Sequence, residues 1–174
     1  MRSMASIGKH PVHPALVAIP IGAFAVALVS DVLRIISGAP EWGTTARHAL
    51  MIGVVTAVLA AVVGLVDYLF IAMSPSAKRL ATFHLVLNLG AVALFVVSFL
   101  VRQSAPAGWS LGGFLISIFA FLVLGAAGWI GGELVFRHKV GVVEGADPQA
   151  TTIGKREEKA DRPGIELTPE PRRR

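Results

Sequence analysis

Four long apolar stretches constrain the fold of this chain more than any other feature. They cover residues 15–36, 48–73, 80–101 and 112–136. A helix needs about 20 residues to cross a hydrocarbon core of about 30 Å, and each stretch is long enough. Transmembrane β-strands would be about 10 residues long with alternating polarity, a pattern that is absent. We therefore predict an all-α, polytopic membrane protein.

The composition agrees with a membrane location. Hydrophobic residues make up 54% of the 174 residues and charged residues only 16%, whereas a soluble domain has about 25% charged residues. The net charge of +5 lies mostly beside the apolar stretches, which indicates membrane topology and not nucleic-acid binding. Because the chain has no cysteine, disulfides, cysteine-bound iron–sulfur clusters and thiol nucleophiles are excluded.

Short connections predict how the four helices are arranged. The links at residues 37–47, 74–79 and 102–111 contain glycine or proline. Short links make consecutive helices antiparallel neighbours. We expect an antiparallel up-down four-helix transmembrane bundle over residues 15–143, in which no internal repeat is evident.

The terminal segments and the basic residues predict the orientation. Residues 1–14 precede the bundle, and residues 144–174 form a charged, proline-containing segment that is expected to be a disordered tail. The side of the membrane that holds both termini and the second link has 13 Lys and Arg residues, against three on the other side. The positive-inside rule then places both termini in the cytoplasm.

Five polar side chains within or beside the apolar stretches are candidate site residues. They are His13, Asp67, His84, Asn88 and Glu133, and by helical rise all belong to the cytoplasmic leaflet. Polar groups that face lipid are costly, so we expect these five to face the bundle interior. The alternative for each is a structural role, such as hydrogen bonding between helices.

A second polar set is expected at the opposite membrane face. It consists of Asp31, Arg34, His48 and Arg102, of which Asp31 and Arg34 have the spacing of a pair along one helix. Pro20 lies inside the first stretch, and because proline has no backbone N–H, we expect a kink there.

Several motifs resemble one bacterial membrane family. They are His-Pro-Ala-Leu-Val at 13–17, Gly-Leu-Val-Asp at 64–67, His-Leu-Val-Leu-Asn at 84–88 and Gly-Trp-Ile-Gly-Gly-Glu-Leu-Val-Phe at 128–136. Over about residues 10–143 the chain is similar to the family catalogued as domain of unknown function 2231. The resemblance is to the branch associated with Rieske-type iron–sulfur domains, and it implies a bacterial inner-membrane location and a redox partner. Other branches, associated with haem-bearing domains, often have a further histidine at the position of Ala18, so no ligand role is carried over to that position.

Three functions are compatible with these residues. In the first, His13 and His84 ligate the iron of a b-type haem, or His84 and Asp67 bind a quinone, with Asp67 or Asn88 orienting an imidazole. In the second, His84, Asp67 and Glu133 relay protons or bind an ion, which would require a homodimer. In the third, the chain is an accessory subunit without a cofactor. Under each of the three functions, a non-enzymatic protein is favoured over a stand-alone enzyme.

The predicted orientation is testable with reporters fused to the C-terminus. We expect alkaline phosphatase, which is active only after export, to be inactive there, and a fluorescent protein that matures in the cytoplasm to be bright. The opposite pattern would contradict the assignment of both termini to the cytoplasm.

Overall fold

The computed structural model describes residues 6–7 and 10–141, with side chains from Val12 onward. Residues 144–174, expected to be a disordered tail, lie outside the described residues, as does half of the segment at 1–14. The elements are strands β1 (Ser6–Ile7) and β2 (His10–Pro11), helices α1 (Val12–Leu16), α2 (Ala18–Ser37), α3 (Pro40–Phe70), α4 (Pro75–Val101) and α5 (Leu111–Phe136), and a 3₁₀ turn at Pro106–Gly108.

Four helical segments of the described chain are long and apolar enough to cross a membrane. They are Val12–Ser37, Pro40–Phe70, Pro75–Val101 and Pro106–Phe136. Apart from the antiparallel pairing of β1 with β2, which joins only two residues of each strand, the described fold is helical. The prediction of an all-α protein with four membrane-spanning helices is confirmed.

Prolines at the first helical positions make two helices longer than we expected. α3 begins at Pro40 and α4 at Pro75, whereas the sequence placed their starts at residues 48 and 80. The first N–H groups of a helix have no partner within the helix, so proline loses nothing there. The Ser74 hydroxyl also accepts a hydrogen bond from the Ala77 amide at 3.3 Å and caps α4.

Pro20 accounts for the interruption between the first two helices. Proline has no N–H to donate to the carbonyl of Leu16, four residues earlier. α1 ends at Leu16, and α2 begins after a single turn residue, Val17. The interruption leaves His13 on a short helix of its own, and a kink at Pro20 stays a prediction.

Helices that follow each other in sequence form two antiparallel hairpins. A Cβ atom at Gly53 would touch Phe24, and one at Gly64 would touch His13. Because residue numbers rise along α3 while they fall along its neighbours, α3 is antiparallel to α1 and α2. The second pair repeats this relation, because Gly131 lies against His84 of α4 and Gly113 lies against Arg102, just after α4. The course of all four helices up and down across a bilayer stays a prediction.

The two hairpins pack together through α3 against α4 and through α2 against α5. Between them, side chains of α2 and α4, which run parallel, meet along a seam. Midway, the rings of Phe24 and Phe95 stack with their centroids 3.6 Å apart and their planes 5° apart. One end of this seam is closed by Asp31 and Arg102, whose side chains are both 0% exposed. Since residue numbers increase along both helices from the first contact to the second, their directions agree.

The buried ion pair corrects our expectation that Asp31 pairs with Arg34. Arg102 donates two hydrogen bonds to the Asp31 carboxylate, from Nη1 at 2.6 Å and from Nη2 at 2.7 Å, and a fork of this kind neutralises a buried carboxylate better than one donor can. Arg34 instead donates to the carbonyl oxygen of Gly38, at the C-terminal end of α2, where a helix leaves carbonyls without partners.

Removing one member of the buried pair should be far more damaging than removing an exposed one. We expect Arg102→Ala to lower the free energy of unfolding in detergent by about 3–5 kcal/mol, because Asp31 would keep an uncompensated buried charge. The matched control is Arg137→Ala, which breaks the exposed pair of Arg137 with Glu133 (3.0 Å) and should cost about 0.5 kcal/mol or less. Equal losses in the two variants would contradict this ranking.

Candidate functional site

A cavity of about 330 Å³ lies between the hairpins, and we call it the histidine cavity. Helices α1 to α4 form most of its wall, and α5 contributes only Leu124. Of the described residues that line it, His13, His84 and Asn88 alone carry polar side chains. An apolar cavity with a few convergent polar groups is typical of a small-molecule site.

His13 is held in place by the backbone of α3. Its Nδ1 atom lies 2.9 Å from the carbonyl oxygen of Ala60. One turn further along α3, a Cβ atom at Gly64 would lie only 2.7 Å from Cε1 of the His13 ring. The ring therefore occupies space that exists only because residue 64 is glycine.

His84 is held by α5 in the same way. Its Nδ1 atom lies 2.8 Å from the carbonyl oxygen of Ala127. A Cβ atom at Gly131, again one turn further on, would lie 2.8 Å from Cε1 of the ring. Each histidine thus uses one helix carbonyl and one glycine of its own hairpin.

These contacts determine which ring nitrogens carry hydrogen. A carbonyl oxygen only accepts, so Nδ1 of each histidine is the donor, and Nε2 of the neutral ring keeps its lone pair. At His84 the side-chain amide of Asn88 lies 3.2 Å from Nε2, and it also donates to the His84 carbonyl oxygen at 2.7 Å. The cavity therefore contains two imidazoles in the tautomer suited to accept a proton or bind a metal.

The other two candidate residues lie outside the cavity wall. Asp67 is half-buried near the end of α3, and it is not among the residues that line the cavity. Glu133 forms its ion pair with Arg137, one helical turn away. Of the five candidates, the structure brings His13, His84 and Asn88 together around one space.

The two hairpins are structural repeats, which we did not detect in the sequence. His13 and His84, Phe24 and Phe95, and Asp31 and Arg102 are each 71 positions apart. On the partner helices, Ala60 and Ala127 are 67 positions apart, as are Gly64 and Gly131. The repeated signal is a histidine on the first helix of each hairpin and an Ala-x-x-x-Gly sequence on the second.

Comparison with known proteins identifies a family but no characterised relative. Residues 9–144 match the family model described as "Predicted membrane protein (DUF2231)", which is most of the chain. No curated protein matches the chain, and neither does any solved structure.

The glycines that support the histidines provide a test of the site's packing. Gly64→Ala or Gly131→Ala should lower the free energy of unfolding by about 1–3 kcal/mol, because the new methyl group overlaps an anchored ring. The control is Gly128→Ala on α5, where an added Cβ meets nothing within 4 Å. This variant should be neutral or more stable by up to about 1 kcal/mol, the helix preference for alanine. Thermal unfolding in detergent measures all three, and a destabilised control with unaffected site variants would refute the packing.

Proposed function

We propose a function for the chain, which belongs to the DUF2231 family of predicted membrane proteins: it binds b-type haem between His13 and His84 and acts as a redox-associated domain in the bacterial inner membrane. Haem bound there would supply a reversible one-electron carrier. The single observation that carries the proposal is the pair of Nδ1-anchored histidines whose rings line one apolar cavity.

The two histidines are the kind of side chains that would hold a haem iron. Haem in proteins is ligated by histidine within an apolar pocket. An Nδ1–H group bonded to a backbone carbonyl fixes the tautomer and the orientation of the ring, as is usual for histidines that bind metals. His13 and His84 both meet this condition, and they come from two different hairpins.

The cavity opens on the flank of the bundle, which gives a ligand space beyond the cavity volume. Its 330 Å³ lies at the lower end of ligand pockets, which are about 300–1,000 Å³. Some lining residues are also exposed on the bundle flank, among them Val58 and Val62 of α3 and Leu89 of α4. The cavity therefore reaches the lipid-facing surface between α3 and α4, where the apolar edge of a larger group would be accommodated.

Asn88 is the polar group of the cavity whose hydrogen bonds would have to change when haem binds. Its amide covers Nε2 of His84, so a ligand at that nitrogen would replace this hydrogen bond. The amide would keep its shorter bond to the carbonyl oxygen of His84, at 2.7 Å. His13 and His84 would accordingly be unequal ligands.

The partner and the location complete the proposal. We propose a Rieske-type iron–sulfur protein or another redox protein as the electron-transfer partner, on the basis of the family resemblance. The orientation with both termini in the cytoplasm would place the histidine cavity in the cytoplasmic leaflet.

A quinone is the second candidate ligand, and the observation that favours it is Asn88. A quinone carbonyl needs a hydrogen-bond donor, which the Asn88 amide provides, and the hydroxyl groups of a quinol need acceptors, which the two Nε2 atoms provide. From the sequence, we expected Asp67 to bind the quinone together with His84. Since Asp67 does not line the cavity, the quinone proposal now rests on Asn88 and the histidines.

A visible spectrum of the protein purified from membranes tests the haem proposal. We expect a Soret band that shifts on reduction with dithionite and disappears in His84→Ala, with a similar loss in His13→Ala. His48→Ala is the control, because His48 is exposed and does not line the cavity.

Two other results would replace haem with a different function. A colourless protein whose thermal stability rises with a ubiquinone analogue, and rises less in Asn88→Leu, would indicate the quinone site. A colourless protein that responds to neither haem nor quinone would leave an accessory subunit whose histidines only join helices.

A further inference from the structure

We infer that the chain is a covalently joined pair of hairpin units, and that the Asp31–Arg102 ion pair forces unlike units to pair. The first unit is the N-terminal hairpin, α1 to α3, and the second is the C-terminal hairpin, α4 and α5. This inference concerns how the bundle is specified, and it does not depend on haem or quinone.

The repeated contacts define how the two units are related. α2 and α4 run parallel, so the rotation that exchanges the hairpins has its axis along the helices, as in membrane proteins built from parallel repeats. Phe24 and Phe95 stack face to face where the two helices meet. In a pair of like hairpins from two copies of the chain, Phe24 would therefore meet a second Phe24.

Most of the seam would accept such like pairing. The stacked phenylalanines are identical in the two units, and so are the anchored histidines. Val17 takes the place of Asn88 in the first unit and is smaller and apolar, so it would not clash either. Apolar and aromatic contacts of this kind do not discriminate between like and unlike hairpins.

Asp31 and Arg102 are the charged exception. Like pairing would bring two Asp31 carboxylates, or two Arg102 guanidinium groups, into a region where both side chains are now 0% exposed. Buried charges without a partner of opposite sign are strongly unfavourable. The pair therefore acts against the wrong assembly as well as stabilising the right one.

The surroundings of Arg102 are specific to the second unit. Arg102 Nε donates to the Ser98 hydroxyl at 3.2 Å and Nη2 donates to the Ser117 hydroxyl at 3.3 Å. At the equivalent positions the first unit has Ala27 and Leu50, which are apolar and fully buried. The first unit thus lacks the hydroxyl groups that support an arginine. The two hairpins therefore differ in the surroundings of the charged residue as well as in its charge.

The test co-expresses two copies of the full chain with different affinity tags and measures capture of one by the other in mild detergent. We expect mixed-tag capture to be low for the wild type. It should rise about tenfold or more in the neutral variants Asp31→Asn/Arg102→Gln and Asp31→Leu/Arg102→Met, because like hairpins are then tolerated and copies can exchange halves.

The charge-exchanged variant Asp31→Arg/Arg102→Asp is the matched control. It restores complementarity only between unlike hairpins, so its mixed-tag capture should stay as low as in the wild type. Circular dichroism confirms that each variant is helical, and having two neutral pairs covers the case in which one fails to fold. Low capture in a folded neutral variant, or capture in the wild type as high as in the neutral variants, would overturn the inference.

Discussion

The contact between Asp31 and Arg102 fixes the relation of the two hairpins on which the rest of the bundle depends. Neither charge can face lipid without a large penalty, and both are fully buried with two short hydrogen bonds between them. Once these side chains meet, the parallel course of α2 and α4 brings Phe24 to Phe95. The same register places His13 and His84 together at the far end of the seam.

The two ends of the seam satisfy their polar groups by different means. At one end the opposite charges of Asp31 and Arg102 pair with each other. At the other end each histidine uses only Nδ1 for structure, bonding to a carbonyl of its own hairpin. Nε2 has no structural bond to a helix carbonyl among the described contacts, and at His84 the amide of Asn88 lies 3.2 Å from it. On the proposed function, these partners divide the seam into a structural end and a ligand-binding end.

The sequence predicted the helices and part of the site. Run length and hydropathy depend on composition, so four spans were predictable. Of the five residues selected by the cost of facing lipid, His13, His84 and Asn88 line the cavity, and their role in binding stays a prediction. The spacing along one helix favoured Arg34 as the ion-pair partner of Asp31. A pairing between two helices cannot be recognised from the sequence until it is known which residues of the helices lie at the same level. The repeat was missed because its halves share few identical residues, chiefly the histidine, the phenylalanine and the Ala-x-x-x-Gly sequence. The contacts are preserved while the side chains around them differ.

The departures from the repeat explain why the site lies on one side of the bundle. In the C-terminal hairpin Leu124 fills space beside the cavity, while the equivalent residue of the N-terminal hairpin is Ala57. An empty apolar space forfeits dispersion contacts, and the C-terminal hairpin demonstrates that a leucine fits this position of the repeat. Alanine at 57 therefore leaves room on the α3 side that packing alone does not require, in the wall of the cavity that both histidines line. A cofactor that occupies this room would recover the lost contacts and use the two Nε2 atoms together.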